Sequence, residues 1–513
     1  MAARVAAVLG ALGVALLVAI VPTGAAVAAP ESPVEILPPV AVGDGPFAVA
    51  VSPDGAFSYV LSLYDDELDV IDTATNTIVT SVPVTLSPLS VLSPSLVVHP
   101  DGRILVLDAG DSVTTDPAIL EIDSATWQVH HHSLAVGAPW TLGVGFDLVL
   151  TPDGAKAYVS DSVNGLVLAV EVPPTAGPGA WNVTPIDVAG TTTPTVRPGS
   201  LAVAGGYLYI LDLLGEDAGT KPTGAAVLRV ADDVLEPTVI TYTAPVGTTG
   251  GILDMPVLKA ARDGATVLIS AAAELDDGSG DYEGYFWTIP GGTIPGSATY
   301  LGEALGGEVA ALTLAASGKT AYVVDCACSS FVWTLDIASG AGAALDLSAA
   351  TDLDLIAAAV ASPDDTRLFL TGYDSLGDSR LWQLSTVTDD VLTVTGPTTA
   401  DQGGSVTLTA TALDNSGNPI DVTSAAEFTS SVATDVISGN VVTFPHASPH
   451  TITATYRPLP SLPPVAVGAI TVEVRAMIPP TGVEDPRPAL GATAVLLLAG
   501  AALVLTRSRL RRA

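Results

Sequence analysis

Residues 46–72 read PFAVAVSPDGAFSYVLSLYDDELDVID. Apolar and small residues alternate up to Val51, then Pro53-Asp54-Gly55 interrupts them. Pro presets φ for a turn, Asp hydrogen-bonds its own backbone, and Gly takes positive φ. A second β-branched and aromatic run ends near Tyr59-Val60. An acidic loop, Asp65-Asp66-Glu67, follows, and a third run closes on Ile71-Asp72. The stretch therefore reads as strand, tight turn, strand, acidic loop, strand.

The pattern returns around His99-Pro100-Asp101-Gly102 and Thr151-Pro152-Asp153-Gly154. Weaker copies turn at Gly205-Gly206, Arg262-Asp263-Gly264, Ala316-Ser317-Gly318 and Pro363-Asp364-Asp365. The seven copies are spaced by 47 to 58 residues, room for about four strands each. A four-stranded unit cannot bury both faces alone, whereas units arranged around an axis bury one another. The expected fold is all-β: a seven-bladed β-propeller over 34–394. Residues 34–42 precede the first copy and are predicted to supply the outer strand of the last blade.

After four of the turns the second strand closes on a recurring tetrad: Tyr158-Val159-Ser160-Asp161, Tyr322-Val323-Val324-Asp325, Tyr209-Ile210-Leu211-Asp212, Leu105-Val106-Leu107-Asp108. These resemble the Tyr-Val-Thr-Asn signature of YVTN propeller repeats. Residues Val70 to Val79 (VIDTATNTIV) are close to that family's IDTATNTVV segment. The resemblance implies a propeller and no particular ligand.

Residues 395–475 change character. Short alternating strands such as GSVTLTATA at 404–412 and HTITATY at 450–456 suggest a β-sandwich. The segment resembles bacterial Ig-like modules, which serve as spacers in surface proteins. Asp414 to Asp421 reads as a hairpin turn.

The two ends of the chain concern location. Arg4, an apolar stretch to Ile20 and Ala26-Val27-Ala28 make a secretory signal peptide over 1–28. At the other end, Ile478-Pro479-Pro480-Thr481-Gly482 lies in a linker over 476–488. A 17-residue apolar run follows at 489–505, then a basic tail at 506–513. Such a run rises about 25 Å as a helix, enough to cross a hydrocarbon core, and the arginines after it would stay cytoplasmic. This order resembles the LPXTG cell-wall sorting signal, with Ile478 in place of the family's Leu. The resemblance implies a sortase and a peptidoglycan precursor as partners, with cleavage between Thr481 and Gly482. It also implies a secreted protein displayed at the cell surface or wall, held in the membrane by the helix before sorting. A plain one-pass membrane anchor is the other reading. The Ala-rich, Lys-poor chain with this tail resembles those of actinobacteria.

Charge narrows the partners. The chain carries 18 Lys and Arg against 54 Asp and Glu. Without residues 1–28 and 482–513 the balance is 12 against 52, a net charge of −40. Nucleic acid is excluded, because phosphate contacts need Lys and Arg. A cationic or protein ligand outside the cell fits, and so does a merely solvated acidic surface.

The candidate binding face is the set of acidic loops after the second strands: Asp65, Asp66, Asp108, Asp161, Asp212, Asp325 and Asp374. Each Asp could instead cap its own turn. Asp277, Ser279, Asp281 and Glu283 present alternating oxygens, as a calcium loop does; an exposed loop is the other reading, and no cofactor is expected. Cys326 and Cys328 are the two cysteines of the chain, able to close a small disulfide outside the cell. His130 and His132 would share one face of an outer strand, read as exposed, with metal capture as the alternative. No nucleophile elbow, P-loop or zincin motif occurs. Arg229 and Arg380, the basic candidates for a channel mouth, read as third-strand residues. The expectation is a binding or structural protein without a catalytic set. An extracellular propeller enzyme, lyase-like or cofactor-dependent, is the alternative.

Overall fold

The computed structural model describes residues 35–477 apart from 88–89, 91–94, 111–114, 136–144, 190–197, 213–223, 243–247, 253–256, 276–281, 305–308, 326–330, 348–351, 388–390, 460–461 and 463. The expected signal peptide and sorting motif, the apolar run at 489–505, Cys326, Cys328, Asp277, Ser279 and Asp281 lie outside the described residues. Among those described, the chain is all-β. It divides into two compact units: one takes residues up to Thr395 with Thr409–Glu427 and Thr453–Ala469, the other Gly396–Leu408, Phe428–Ile452 and the residues from Ile470.

Among the described residues, the first unit contains seven antiparallel sheets of four or five strands. The opening repeat forms Pro46–Val51, Phe57–Ser62, Glu67–Asp72 and Thr77–Pro83, paired in that order. Its Pro-Asp-Gly turn forms as expected, with Gly55 at φ 73°. Asp54 accepts from Ser52 Oγ at 2.6 Å and from the Ala56 amide at 3.0 Å. Alternation buries Pro46, Ala48 and Ala50 on the first strand. The second and third strands are buried on both faces, as strands between two neighbouring sheets must be.

Among the described residues, apolar clusters join consecutive sheets. Tyr59, Leu61 and Val70 meet Ile104, Val106 and Leu120 between the first and second. Equivalent clusters join second to third, third to fourth, fourth to fifth, fifth to sixth and sixth to seventh. The last sets Val60 and Ile71 of the first sheet against Phe369 and Leu381 of the seventh. The seventh sheet takes its outer strand from the other end of the unit: Glu35–Ala41 pairs antiparallel with Ser379–Ser385, Ala41 opposite Arg380.

Buried polar groups tie the first strands of neighbouring sheets. The Leu148 amide donates to Ser95 Oγ at 3.1 Å, and the Leu201 amide to Asp147 Oδ2 at 2.9 Å. The Leu258 amide donates to Ser200 Oγ at 3.0 Å. Buried amides thus find partners that main-chain pairing does not supply.

The fourth and fifth sheets depart from the simple repeat. The outer strand of the fourth is split into Val234–Leu235 and Ile240–Thr241, both on Gly224–Arg229. In the fifth, Thr248–Ile252 and Val257–Ala260 both pair with Thr266–Leu275.

This unit also includes a hairpin, Thr409–Leu413 with Pro419–Asp421. Its turn is seated on the sixth sheet. Asp414 Oδ2 accepts from Thr320 Oγ1 at 2.5 Å, and Asn418 Nδ2 donates to Asp336 Oδ2 at 2.9 Å. The second unit pairs Ser405–Thr407 with Val441–Thr443, and that strand with Val436–Ser438. Its interior holds Leu408, Val442, Phe444, Ile452 and Val472.

Candidate functional site

Antiparallel order puts the loops after the second strands at one end of the sheets and the Pro-Asp-Gly turns at the other. At the loop end, several predicted site residues are buried and occupied. Asp108 Oδ1 accepts from the Ser87 amide at 3.0 Å, from Ser90 Oγ at 3.1 Å and from the hydroxyl of Ser87. Asp161 accepts from the Val163 and Asn164 amides and, at 2.7 Å, from Asn164 Nδ2. Asp374 accepts from the Leu376 and Asp378 amides and forms an ion pair with Arg380 at 3.0 Å. The Asp378 amide, more than any other contact, holds its carboxyl below the usual value. Asp212 is buried as well.

Asp65 and Asp66 remain at the surface. Asp65 Oδ2 accepts from the Asp44 amide at 2.8 Å, and Asp66 takes a left-handed φ of 52°, which Asp tolerates better than most residues. Nearby Glu67 is pushed above its usual value by burial, then by Asp69 and Asp65. Asp325 ends the strand Thr320–Asp325. Glu283 lies on Tyr282–Pro290 and accepts from the Tyr285 hydroxyl at 3.0 Å.

The same end carries apolar tips that sequence reading passed over. Leu376 is 82% exposed, Tyr64 62% and Val163 60%. Tyr64 stands edge-on to Phe47 with ring centroids 5.7 Å apart.

A second polar constellation is buried between the second and third sheets. Glu121 Oε1 accepts from Arg103 Nη1 at 2.5 Å. Its Oε2 accepts from the Gly177 amide at 3.1 Å and lies 3.2 Å from His132 Nε2. His132 Nδ1 is 2.8 Å from the Gly179 carbonyl, and the ring stacks on Trp181 at 4.0 Å. The strand Val129–Ser133 is therefore not exposed throughout: His131 faces out, His130 is half-buried and His132 is enclosed. A shallow groove of about 430 Å³ runs beside it, lined by residues 129–133 and 178–180.

In the second unit, His450 Nδ1 is 2.7 Å from Asp435 Oδ2 and its Nε2 is 3.0 Å from Ser448 Oγ. This is the order of a nucleophilic triad. The His446 carbonyl also lies 3.1 Å from Nε2 and the ring is fully enclosed, so the arrangement braces the strand start. Among the described residues no three His, Cys, Asp or Glu side chains converge as a metal site.

No protein-family model matches this chain, and no curated protein matches it. Solved structures do. The β-propeller domain of Myceliophteria thermophila Cps50 (Swd1) is similar with a TM-score of 0.50 at 11% identity, covering 68% of this chain and 99% of that one. Kuenenia stuttgartiensis hydrazine synthase gives a TM-score of 0.49 at 16% identity, over 68% of this chain and 98% of that one. A functionally unknown protein from Desulfotomaculum acetoxidans gives 0.44 at 12% identity, over 62% and 90%. At such identities the likeness to the Cps50 domain bears on fold alone. Together with the four-stranded antiparallel sheets it identifies a β-propeller.

Proposed function

We propose that this protein is a surface-displayed binding or structural protein: a seven-bladed, YVTN-type propeller carried on an Ig-like module over 395–475. Export follows the signal peptide at 1–28. A sortase cuts between Thr481 and Gly482 and joins Thr481 to a peptidoglycan precursor. The observation that carries the binding role is the loop end of the sheets. It presents Tyr64, Val163 and Leu376 to solvent beside carboxylates, while the buried aspartates Asp108, Asp161 and Asp374 hold the loops in place. Rigid strands under exposed loop tips are the usual platform for recognition.

Labelling intact cells tests the outward presentation. Val163→Cys should react with a membrane-impermeant maleimide on whole cells, over the background of the unsubstituted chain. Labelling that appears only after lysis would overturn the reading.

A further inference from the structure

The seventh and first sheets meet around one aromatic cluster at the loop end. The Tyr64 amide donates to the Asp44 carbonyl at 3.1 Å, and the Tyr64 ring packs on Gly45 and Phe47. Ser379 Oγ donates to Asp44 Oδ1 at 3.4 Å, which ties the hairpin bearing Tyr373 and Leu376 to the same corner. The Tyr373 phenol is raised by burial and then by Asp44 and Tyr64, so these groups share one local field. Asp44, Asp65, Asp66 and Asp352 are all exposed around the cluster. Arg380 is committed to Asp374 and Asp378, each at 3.0 Å.

Two kinds of surface therefore coincide: a solvent-exposed apolar and aromatic one, and a negative rim with no ion-pair partner among the described residues. A cation over a Tyr face is attracted by the ring quadrupole and by the carboxylates together. The side-chain stems of Lys and Arg are apolar and suit such a ring. The carboxylates are spread along the rim, and backbone or hydroxyl donors orient them separately. The Asp44 amide holds Asp65, the Gly45 amide holds Asp44 and the Ser375 hydroxyl holds Asp352. That spread suits charges strung along a chain.

We propose that this corner docks an extended, cationic polypeptide segment, with a Lys or Arg stem over Tyr64 and an apolar residue against Leu376. The proposal rests on the binding role argued above and names the partner's chemistry.

The test uses the full chain in neutral-lipid nanodiscs, with empty discs subtracted. The probe is a fluorescent twelve-residue peptide carrying four Lys or Arg around one Leu, followed by anisotropy at about 50 mM salt, where exposed charges are weakly screened. The unsubstituted chain should bind it and fail to bind the same peptide with Glu in place of the cations. Tyr64→Ala with Leu376→Ser should weaken binding at least about tenfold, as loss of central anchors does. Asp65→Asn with Asp66→Asn should weaken it about as much and flatten its salt dependence. Asp263→Asn, at the opposite end of the sheets, should leave it unchanged. An unaltered melting temperature in the first double variant shows that folding is intact.

Undiminished binding by the Tyr64/Leu376 variant overturns the proposal. If that binding is lost in Val163→Ser instead, the loop end remains the binding end and only this corner falls. Equal binding of the Glu peptide, or no binding of either, overturns the cationic partner. Outward display, read from Val163→Cys labelling, stands or falls separately.

Discussion

Removing the Glu121 carboxylate strands two donors at once and takes away the group that faces His132 Nε2. Arg103 Nη1 at 2.5 Å, the Gly177 amide at 3.1 Å and the facing His132 Nε2 at 3.2 Å all converge on it. The Arg103 side chain is 5% exposed and His132 0%, so water cannot replace the lost acceptor. Breaking a buried pair from one side costs about 3–5 kcal/mol, because the remaining charge stays buried and unmatched. Arg103 keeps Asp101 at 2.9 Å, which offsets part of that loss. Truncation also removes one buried methylene, roughly 1 kcal/mol more. Glu121→Ala should therefore cost about 4 kcal/mol, read as a lowered denaturant midpoint at unchanged slope. Trp181, stacked on His132, supplies a local fluorescence signal, and its environment should change even below the main transition. Replacing all three members by apolar residues, Arg103→Met with Glu121→Leu and His132→Leu, should cost less than the single change, within about 2 kcal/mol of the parent. A Glu121→Ala cost below about 1 kcal/mol, or a triple variant worse than the single, would refute this reasoning.

Three other outcomes follow from the geometry. A Cβ on Gly372 would lie 1.9 Å from the Leu355 carbonyl oxygen and 3.0 Å from Ile356 Cα, both backbone of the adjacent strand; Gly372→Ala should cost about 3 kcal/mol in chemical denaturation. Thr320→Val removes the hydroxyl that donates to buried Asp414, and should cost about 1–3 kcal/mol by the same assay. Asp54 is held below its usual 3.8 chiefly by the Ser52 hydroxyl, and Asp153 chiefly by that of Thr151. A lowered folded value means that the unfolded chain binds the proton more tightly. That stability is complete above the ordinary carboxylate value and is lost as pH falls through the folded value. Denaturant midpoints measured down to about pH 2.5 should show this loss, and Ser52→Ala with Thr151→Val should make it shallower.

The sheets were legible because each turn carries its own chemistry. Pro53-Asp54-Gly55 and Pro152-Asp153-Gly154 need no tertiary context to turn, and the runs after them alternate or are wholly apolar. The fourth and fifth sheets were not legible in detail. Their outer and inner strands are short and broken, and two segments share one partner strand in each, which residue pattern alone does not specify. The buried constellation left one signal that reading passed over: Glu121 interrupts the run Ile119-Leu120-Glu121-Ile122, where a charge makes sense only with a partner. That partner, Arg103, is 18 residues away and the strap at Gly177–Gly179 is farther still. The pairing is set by how the second and third sheets meet, not by local sequence. The loop aspartates show the converse. Their position at strand ends was plain, but whether each faces solvent or caps its turn depends on donors such as Ser87 and Ser90, supplied from outside the repeat motif.

The most direct measurement is mass spectrometry of the C-terminal peptide from purified cell walls, in cells with and without sortase. A peptide ending at Thr481 and joined to a wall cross-bridge, lost when sortase is absent, is the predicted result. A tail that still ends at Ala513 and is found only in the membrane fraction would contradict wall display.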